Sequence, residues 1–235
     1  MHQREINITR FRELLTKSRT LESKNIEPIL AWLRECRREV KFTSRLISLD
    51  KAQNWSREKK TGNLRHESGS FFSVEGVHTE GETGLREVIS WEQPIFNQID
   101  GGILALICCS FSEQVYFLLC AKAEPGNIGK LQLAPSVQCT WSNIKQFHKG
   151  QRPPLVEYVL GEVPVQYVYK SSHNEEGGRF WKKSNQNLLI LIDEEEAEKI
   201  DLRANFKWVT LSQIKELCLV DNVLSPFVKT IIAPL

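Results

Sequence analysis

Two apolar runs constrain this chain more than any other feature. Residues 103–109 and 115–121 are separated only by Ser110-Phe111-Ser112-Glu113-Gln114. Short apolar runs about a polar break signal a β-hairpin, although this turn carries no glycine. They are also far too short to cross a membrane, which takes roughly 18 apolar residues, and no other run approaches that length. The β pattern continues after a Pro-Gly-Asn-Ile-Gly turn at 131–134 and 137–141, and again at 188–192. Phe71-Phe72-Ser73-Val74 favours a strand between a Ser-Gly-Ser turn and a Glu-Gly bend. Segments 88–91, 156–160 and 165–169 are shorter, and Gly177-Gly178 marks a tight place.

The ends of the chain read differently. Residues 1–42 have helical character. Ile26, Ile29, Leu30, Leu33 and Val40 recur at three- and four-residue steps, with Trp32 widening the stripe and Glu35, Arg37, Arg38 and Glu39 on the other face. Such a stripe must pack on the main domain or on a partner chain. Residues 56–65 read as a polar loop and 144–149 as a short helix. Near the C-terminus, Thr210 is placed to cap a helix whose Ile214 and Leu217 face inward. Helices, then many short strands, then a helix give an α+β fold with a mainly mixed or antiparallel sheet. The expected division is a helical extension over 1–42 and one domain over 43–235.

Charge and cysteine usage narrow the function classes. Lys+Arg number 31 against 29 Asp+Glu, so nothing points to nucleic acid as the main partner. The N-terminus lacks the apolar core of a signal peptide. Six cysteines show no CxxC spacing, which fits reduced thiols in a cytoplasmic protein. Five histidines, His2, His66, His78, His148 and His173, form no HxH or HExxH pattern, so no metal site is expected.

The densest chemistry lies at 121–143. Lys122 and Glu124 end an apolar run two residues apart, which puts both side chains on one face if the run is a strand. A Pro125-Gly126-Asn127 turn follows, then Gln132, Gln138, Ser142 and Asn143. By spacing, the Lys–Glu pair is either part of a substrate site or an exposed cross-strand pair.

Several stretches resemble a known family. HESGSFFSVEGV (66–77), WEQPI (91–95), GGIL (101–104), AKAEPGN (121–127), QLAPSVQCTWSN (132–143) and EEGGRFWKKSNQN (175–187) occur in family order, closed by FKWVTLSQIKELCLVDNVLS (206–225). From about residue 46 onward the chain resembles one repeat of the NDP-hexose 2,3-dehydratases, bacterial enzymes of deoxysugar biosynthesis. The resemblance implies a Nudix-like mixed β-sheet flanked by helices, with an added N-terminal helical part. It also implies a homodimer, a dTDP sugar as ligand, and neither metal nor nicotinamide cofactor. Two departures stand out. The usual member carries two repeats, and Ser225-Pro226-Phe227 replaces a more polar ending. The Arg86-Glu87-Val88 segment also lacks the acidic pair of a Nudix box, so metal-dependent pyrophosphate hydrolysis is not expected.

The implied substrate is a dTDP-linked 4-keto-6-deoxyhexose. Its ketone acidifies the hydrogen on carbon 3. A base removes that proton, the enolate expels the carbon 2 hydroxyl, and a 3,4-diketo product forms for a downstream 3-ketoreductase. Glu124 is the candidate base, Lys122 the enolate stabiliser and His66 the proton donor, with Glu75 and Glu176 as rivals. Arg179, after two glycines, suits a diphosphate. Gln132, Gln138, Ser142 and Asn143 suit the nucleoside, Trp141 or Phe72 could stack on the base, and Gly126 and Asn127 could shape a loop over the phosphates. Each has a plainer reading: turn, cap, core packing or surface charge. Lys182 and Lys183 read equally as added positive charge or a solvated face. The competing functions are an inactive nucleotide-sugar-binding subunit or sensor, and a nucleotide-sugar hydrolase.

Overall fold

A computed structural model describes residues 4–5, 7–84, 87–98, 100–146, 151–202 and 205–235. Its centre is the hairpin of the two apolar runs, β6 (Gly102–Phe111) and β7 (Gln114–Ala123). Ser112 (φ 48°) and Glu113 (φ 68°) form the turn, both left-handed, which matches the twist of a tight hairpin. The Ser112 amide donates to Glu194 Oε1 at 3.0 Å and so fixes a turn that has no glycine.

β6 and β7 pair from Ile107–Leu118 to Phe111–Gln114 and splay apart beyond. The hairpin of β8 (Leu131–Ala134) and β9 (Val137–Thr140) fills this fork, β8 pairing with β7 and β9 with β6. Ser136 sits in the crotch. Its hydroxyl accepts the Ile107 amide at 2.9 Å and donates to the Leu118 carbonyl at 2.5 Å. The sheet therefore divides without stranding buried backbone groups there.

The remaining strands complete a mixed sheet. β10 (Gln166–Asn174) and β11 (Ser184–Ile192) form an antiparallel hairpin, and β11 joins β6 in parallel. β12 (Phe206–Thr210) runs antiparallel to β7, and β1 (Arg4–Glu5) parallel to β10. One face is covered by α1 (Ile8–Ser18), α2 (Glu27–Glu39), α6 (Leu211–Leu217) and α7 (Pro226–Ile232). The other carries α4 (Val156–Leu160) and α5 (Glu194–Glu198). The α+β class with a mixed sheet flanked by helices is thus observed.

The helical reading of the N-terminal region resolves into α1 and α2; residues 1–3 and 6 lie outside the described residues. The α2 stripe packs on the chain's own sheet. Ile29 and Leu33 are buried in the same core as Leu131, and Arg37 Nη2 donates to the Leu131 carbonyl at 2.8 Å. Thr210 caps α6 as expected, its side chain accepting the Gln213 amide at 3.2 Å, a contact worth about 1 kcal/mol.

A second, antiparallel sheet holds β2 (Trp55–Arg57), β3 (Leu64–His66), β4 (Ser73–Glu80) and β5 (Ser90–Asn97). The expected loop at 56–65 is instead a hairpin. Its strands are three residues each and mostly polar, and Gly62 (φ 78°) serves the turn, so no apolar period betrays them. This sheet docks through Phe96. Its amide donates to the Arg179 carbonyl at 2.9 Å and its carbonyl accepts the Trp181 amide at 2.8 Å. A row of rings follows the same path: Trp55–Phe72 at 4.9 Å, Phe72–Phe96 at 5.0 Å and Phe96–Phe180 at 5.6 Å.

Two more readings need correction. Residues 156–160 are helical. The helix expected at 144–149 begins earlier, as α3 (Trp141–Ile144), because Thr140 and Asn143 form a capping box; residues 147–149 lie outside the described residues. So do Arg86, His2 and His148. Among the described residues, no helix is long and apolar enough to cross a membrane, and no cluster of three His, Cys, Asp or Glu side chains could hold a metal ion.

Candidate active site

The mouth of the fork is a cleft of about 380 Å³. Its walls come from the start of β6, the end of β7, β9 and the connection between β10 and β11. Lys122 and Glu124 both line it, as the alternation along β7 requires. They do not pair with each other. Lys122 Nζ donates to the Gln138 carbonyl at 3.1 Å, and Gln138 Nε2 donates to Glu124 Oε1 at 2.7 Å. Gln138 Oε1 is buried without a partner. Turning the amide over would set that oxygen against the Glu124 carboxylate, so the Glu124 bond fixes the orientation.

The facing wall has a second polar chain. Glu175 and Lys183 form an ion pair at 3.3 Å, with side chains only 13% and 10% exposed. Glu175 Oε2 also accepts from Asn185 Nδ2, and Asn185 Oδ1 accepts the Gly102 amide at 2.8 Å. The backbone donor at Gly102 decides which end of the Asn185 amide faces Glu175, so Glu175 acts there as an acceptor. Two glycines let β11 approach. A Cβ on Gly101 would stand 2.6 Å from the Ser184 carbonyl oxygen, and one on Gly102 2.6 Å from Asn185 Oδ1. The Lys183 ammonium also lies 4.6 Å from the Phe180 ring centroid.

Burial pushes the Cys120 and Cys139 thiols up to about 11, and the neighbouring Lys122 charge opposes that rise. These thiols stay protonated near neutral pH and are poor nucleophiles.

The structure brings together only part of the expected site. His66, Phe72 and Glu75 line a separate cleft of about 380 Å³ on the small sheet, which shares no lining residue with the first. There, His66 Nδ1 accepts the Ser68 amide at 3.2 Å and lies 2.8 Å from the Ser68 hydroxyl, so neutral His66 carries its proton on Nε2. Glu75 Oε1 accepts from the Ser73 hydroxyl at 2.6 Å and lies 3.3 Å from Arg65. Phe72 packs between Trp55 and Phe96 rather than standing open to a base.

Other expected residues have local duties. Asn143 lines the Glu124 cleft, yet its Oδ1 accepts the Thr140 amide at 3.1 Å as part of the helix cap. Ser142 is buried, its hydroxyl 2.7 Å from that of Thr140, and Trp141 is 39% exposed. Asn127 Nδ2 braces its own loop by donating to the Lys122 and Lys130 carbonyls at 3.2 and 3.3 Å. Gly126 is open on all sides. Gln132 Nε2 reaches the Asn222 carbonyl at 3.4 Å. Glu176 and Arg179 are exposed; the Glu176 carbonyl accepts the Arg179 and Phe180 amides, so the turn points them outward. Inward from them stand Glu175 and Lys183. Glu175 was not singled out by sequence, and Lys183 is a buried partner of a carboxylate rather than part of a solvated face. The sequence carries little signal for them: Lys183, Asn185 and Asn187 share one face, but Ser184 and Gln186 between them are polar as well, so no alternation marks that face.

Phe180 also lines an adjoining cleft of about 410 Å³ with Trp91, Trp181 and Lys182. Lys122 and Gln138 likewise border a cleft of about 450 Å³ with Val40, Pro135, Pro154 and Phe206. The Lys122–Glu124 cleft thus shares wall residues with each of these two neighbouring clefts.

Comparison with known proteins converges on one family. A family model described as NDP-hexose 2,3-dehydratase matches residues 26–235. The dTDP-4-dehydro-6-deoxy-alpha-D-glucopyranose 2,3-dehydratase of Saccharopolyspora spinosa is 35% identical over 202 residues, covering 86% of this chain and 40% of that relative. Its namesake from Amycolatopsis orientalis is 35% identical over 202 residues, covering 85% and 42%, and that of Streptomyces violaceoruber 31% over 208 residues, covering 87% and 45%. The chain thus spans less than half the length of these curated relatives. Among solved structures, that of a C. elegans Ap4A hydrolase superposes with a TM-score of 0.32 at 12% identity, covering 52% of this chain and 89% of that one, too loosely to carry an argument.

Proposed function

The chain belongs to the NDP-hexose 2,3-dehydratase family, and from that premise we propose that it removes water from a dTDP-linked 4-keto-6-deoxyhexose, as a carbon–oxygen lyase. The observation that carries this reading is the arrangement of Lys122 and Glu124: both face one cleft, and Gln138 keeps them apart. A carboxylate held by a neutral amide remains a proton acceptor. A lysine bonded to one carbonyl keeps two N–H donors for a developing enolate oxygen. Glu124 takes the carbon 3 proton, and Lys122 stabilises the negative charge that moves onto the carbon 4 oxygen. The substrate's own ketone is the electron sink, so the residues need supply only proton transfer and charge stabilisation.

The nucleotide lies in the adjoining cleft past Phe180, where Trp91 and Trp181 offer faces for a base and Lys182 a charge for the diphosphate. The enzyme works as a homodimer in the cytoplasm, and a 3-ketoreductase consumes the labile diketo product.

A second reading is a nucleotide-sugar-binding subunit without turnover. It is favoured by the separation of His66, the expected proton donor, from the Lys122–Glu124 cleft. Incubation with dTDP-4-keto-6-deoxyglucose, with a ketoreductase as trap and mass analysis of the product, separates the two. Loss of 18 mass units, about one water, supports the dehydratase. Unchanged substrate alongside tight dTDP binding supports the binding subunit.

A further inference from the structure

The cleft holds two lysines and two glutamates, and the reaction above uses only Lys122 and Glu124. Glu124 and Lys122 account for the base and the enolate stabiliser. Nothing yet gives a proton to the departing hydroxide, and the residue first considered for it, His66, lines a cleft that shares no wall with this one. Resting on the dehydratase reading, we propose that Lys183 is the general acid of this site and that Glu175 and Asn185 are its positioning residues.

The two glutamates are held differently. Glu124 is held by an amide alone, whereas Glu175 Oε2 is held by both Lys183, at 3.3 Å, and Asn185. Two donors from the protein occupy that Glu175 oxygen, whereas Glu124 is tied by a single amide. Glu175 therefore serves as an anchor and Glu124 as the base. Lys183 has the opposite standing. Its ammonium is held by the Glu175 carboxylate at 3.3 Å and by the Phe180 ring at 4.6 Å from the centroid. It lines the same cleft as Lys122 and Glu124. Its anchor is rigid: Asn185 is 5% exposed, tied to the Gly102 amide, and sits on a strand paired to β6. A donor mounted this way loses little freedom when a ligand hydroxyl arrives.

The step balances. Glu124 takes the proton from carbon 3, and the electron pair of that C–H bond becomes the enolate. The enolate re-forms the carbon 4 carbonyl as the carbon 2–oxygen bond breaks. Lys183 gives its proton to the leaving oxygen, so water departs and a neutral amine remains. The product at this point is an enol on carbon 3. Glu124 returns its proton to carbon 2, and the enol O–H proton goes to the Lys183 amine. The 3,4-diketone forms and both residues regain their starting charges. No oxidant or reductant is required.

Separate readouts for the two half-steps test this assignment. Exchange of the carbon 3 hydrogen with deuterated water reports the base alone, and product mass reports water loss. The variant is Lys183→Arg. It keeps a cation beside Glu175 but does not give up its proton near neutral pH. A second variant, Lys183→Met/Glu175→Gln, removes both charges and strands neither if the arginine does not fit. The expected result for either is water loss reduced 100-fold or more with carbon 3 exchange within about threefold of wild type. Glu124→Gln should lose both. Water loss within threefold of wild type in the Lys183 variants overturns the assignment, as does a parallel fall of exchange and water loss. A wild-type chain that binds dTDP yet neither exchanges nor dehydrates overturns the dehydratase reading itself, and this assignment with it.

Discussion

Lys122 and Glu124 share a partner instead of pairing: the lysine bonds the Gln138 carbonyl at 3.1 Å and the glutamate the Gln138 side-chain amide at 2.7 Å. The neutral amide between them is what leaves the carboxylate available as a base. Gln138→Glu tests this directly. A second carboxylate there removes the amide donor of Glu124 and sets two like charges side by side, which disturbs the placement of the base. Turnover at neutral pH should fall by about tenfold or more, with dTDP affinity nearly unchanged. Unchanged turnover would mean that the base does not depend on the Gln138 amide.

Gly102 illustrates how a backbone contact reaches the site. Its amide holds Asn185, and a methyl group there would stand 2.6 Å from Asn185 Oδ1 and 3.2 Å from Cγ. Asn185 is buried and bonded at both ends, so it cannot swing aside freely. Gly102→Ala should cost about 1–3 kcal/mol in urea unfolding and lower turnover. Gly76→Ala is the comparison: no atom lies within 4 Å of its added Cβ, and it should be near neutral. Equal effects from the two would remove the packing argument.

What could be read from the sequence was local. The β6–β7 hairpin follows from two apolar runs and one polar break. The α6 cap follows from Thr210 standing ahead of the inward-facing Ile214 and Leu217. Lys122 and Glu124 share a cleft because strand alternation is strictly two-residue. The fork was hidden, since nothing local says that Ser136 bonds both Ile107 and Leu118. The choice of Glu175 over Glu176 was hidden too. It depends on where the β10–β11 connection turns, and the Glu175 amide bonding the Lys183 carbonyl at 2.9 Å sets that. Asn143 looked like a ligand contact because a helix cap and a binding residue use the same side chains.

The buried thiols predict the alkaline limit of stability. Burial raises Cys109 to about 12 and Cys120 and Cys139 to about 11, against 9.0 for the unperturbed thiol. Raised values mean the fold binds these protons more tightly than the unfolded chain does. Their contribution is complete below pH 9 and is lost as pH climbs through 11 to 12. Stability should fall steadily above about pH 9, by on the order of 1 kcal/mol per pH unit for each thiol, and the thermal midpoint should fall with it. A Cys120→Ala/Cys139→Ala protein should show a shallower fall. Superimposable pH profiles for the two proteins would assign the loss to other groups.

Ser136 should be the costliest small side chain in the sheet. It is 4% exposed, and its one hydroxyl satisfies the amide of Ile107 and the carbonyl of Leu118, both fully buried residues. Ser136→Ala keeps the volume nearly constant but leaves a donor and an acceptor without that hydroxyl. Each buried group left unpaired costs about 1–3 kcal/mol, so the variant should lose about 2–6 kcal/mol in denaturant unfolding with an unchanged slope. The damage should extend to function. β9 starts at the next residue, and Gln138, two residues along, holds both Lys122 and Glu124. A loosened fork widens the spacing between base and lysine, so turnover should fall at temperatures where the protein is still folded, as judged by circular dichroism. A loss below 0.5 kcal/mol, or full turnover at such temperatures, would show that the fork is held by the strand pairing alone.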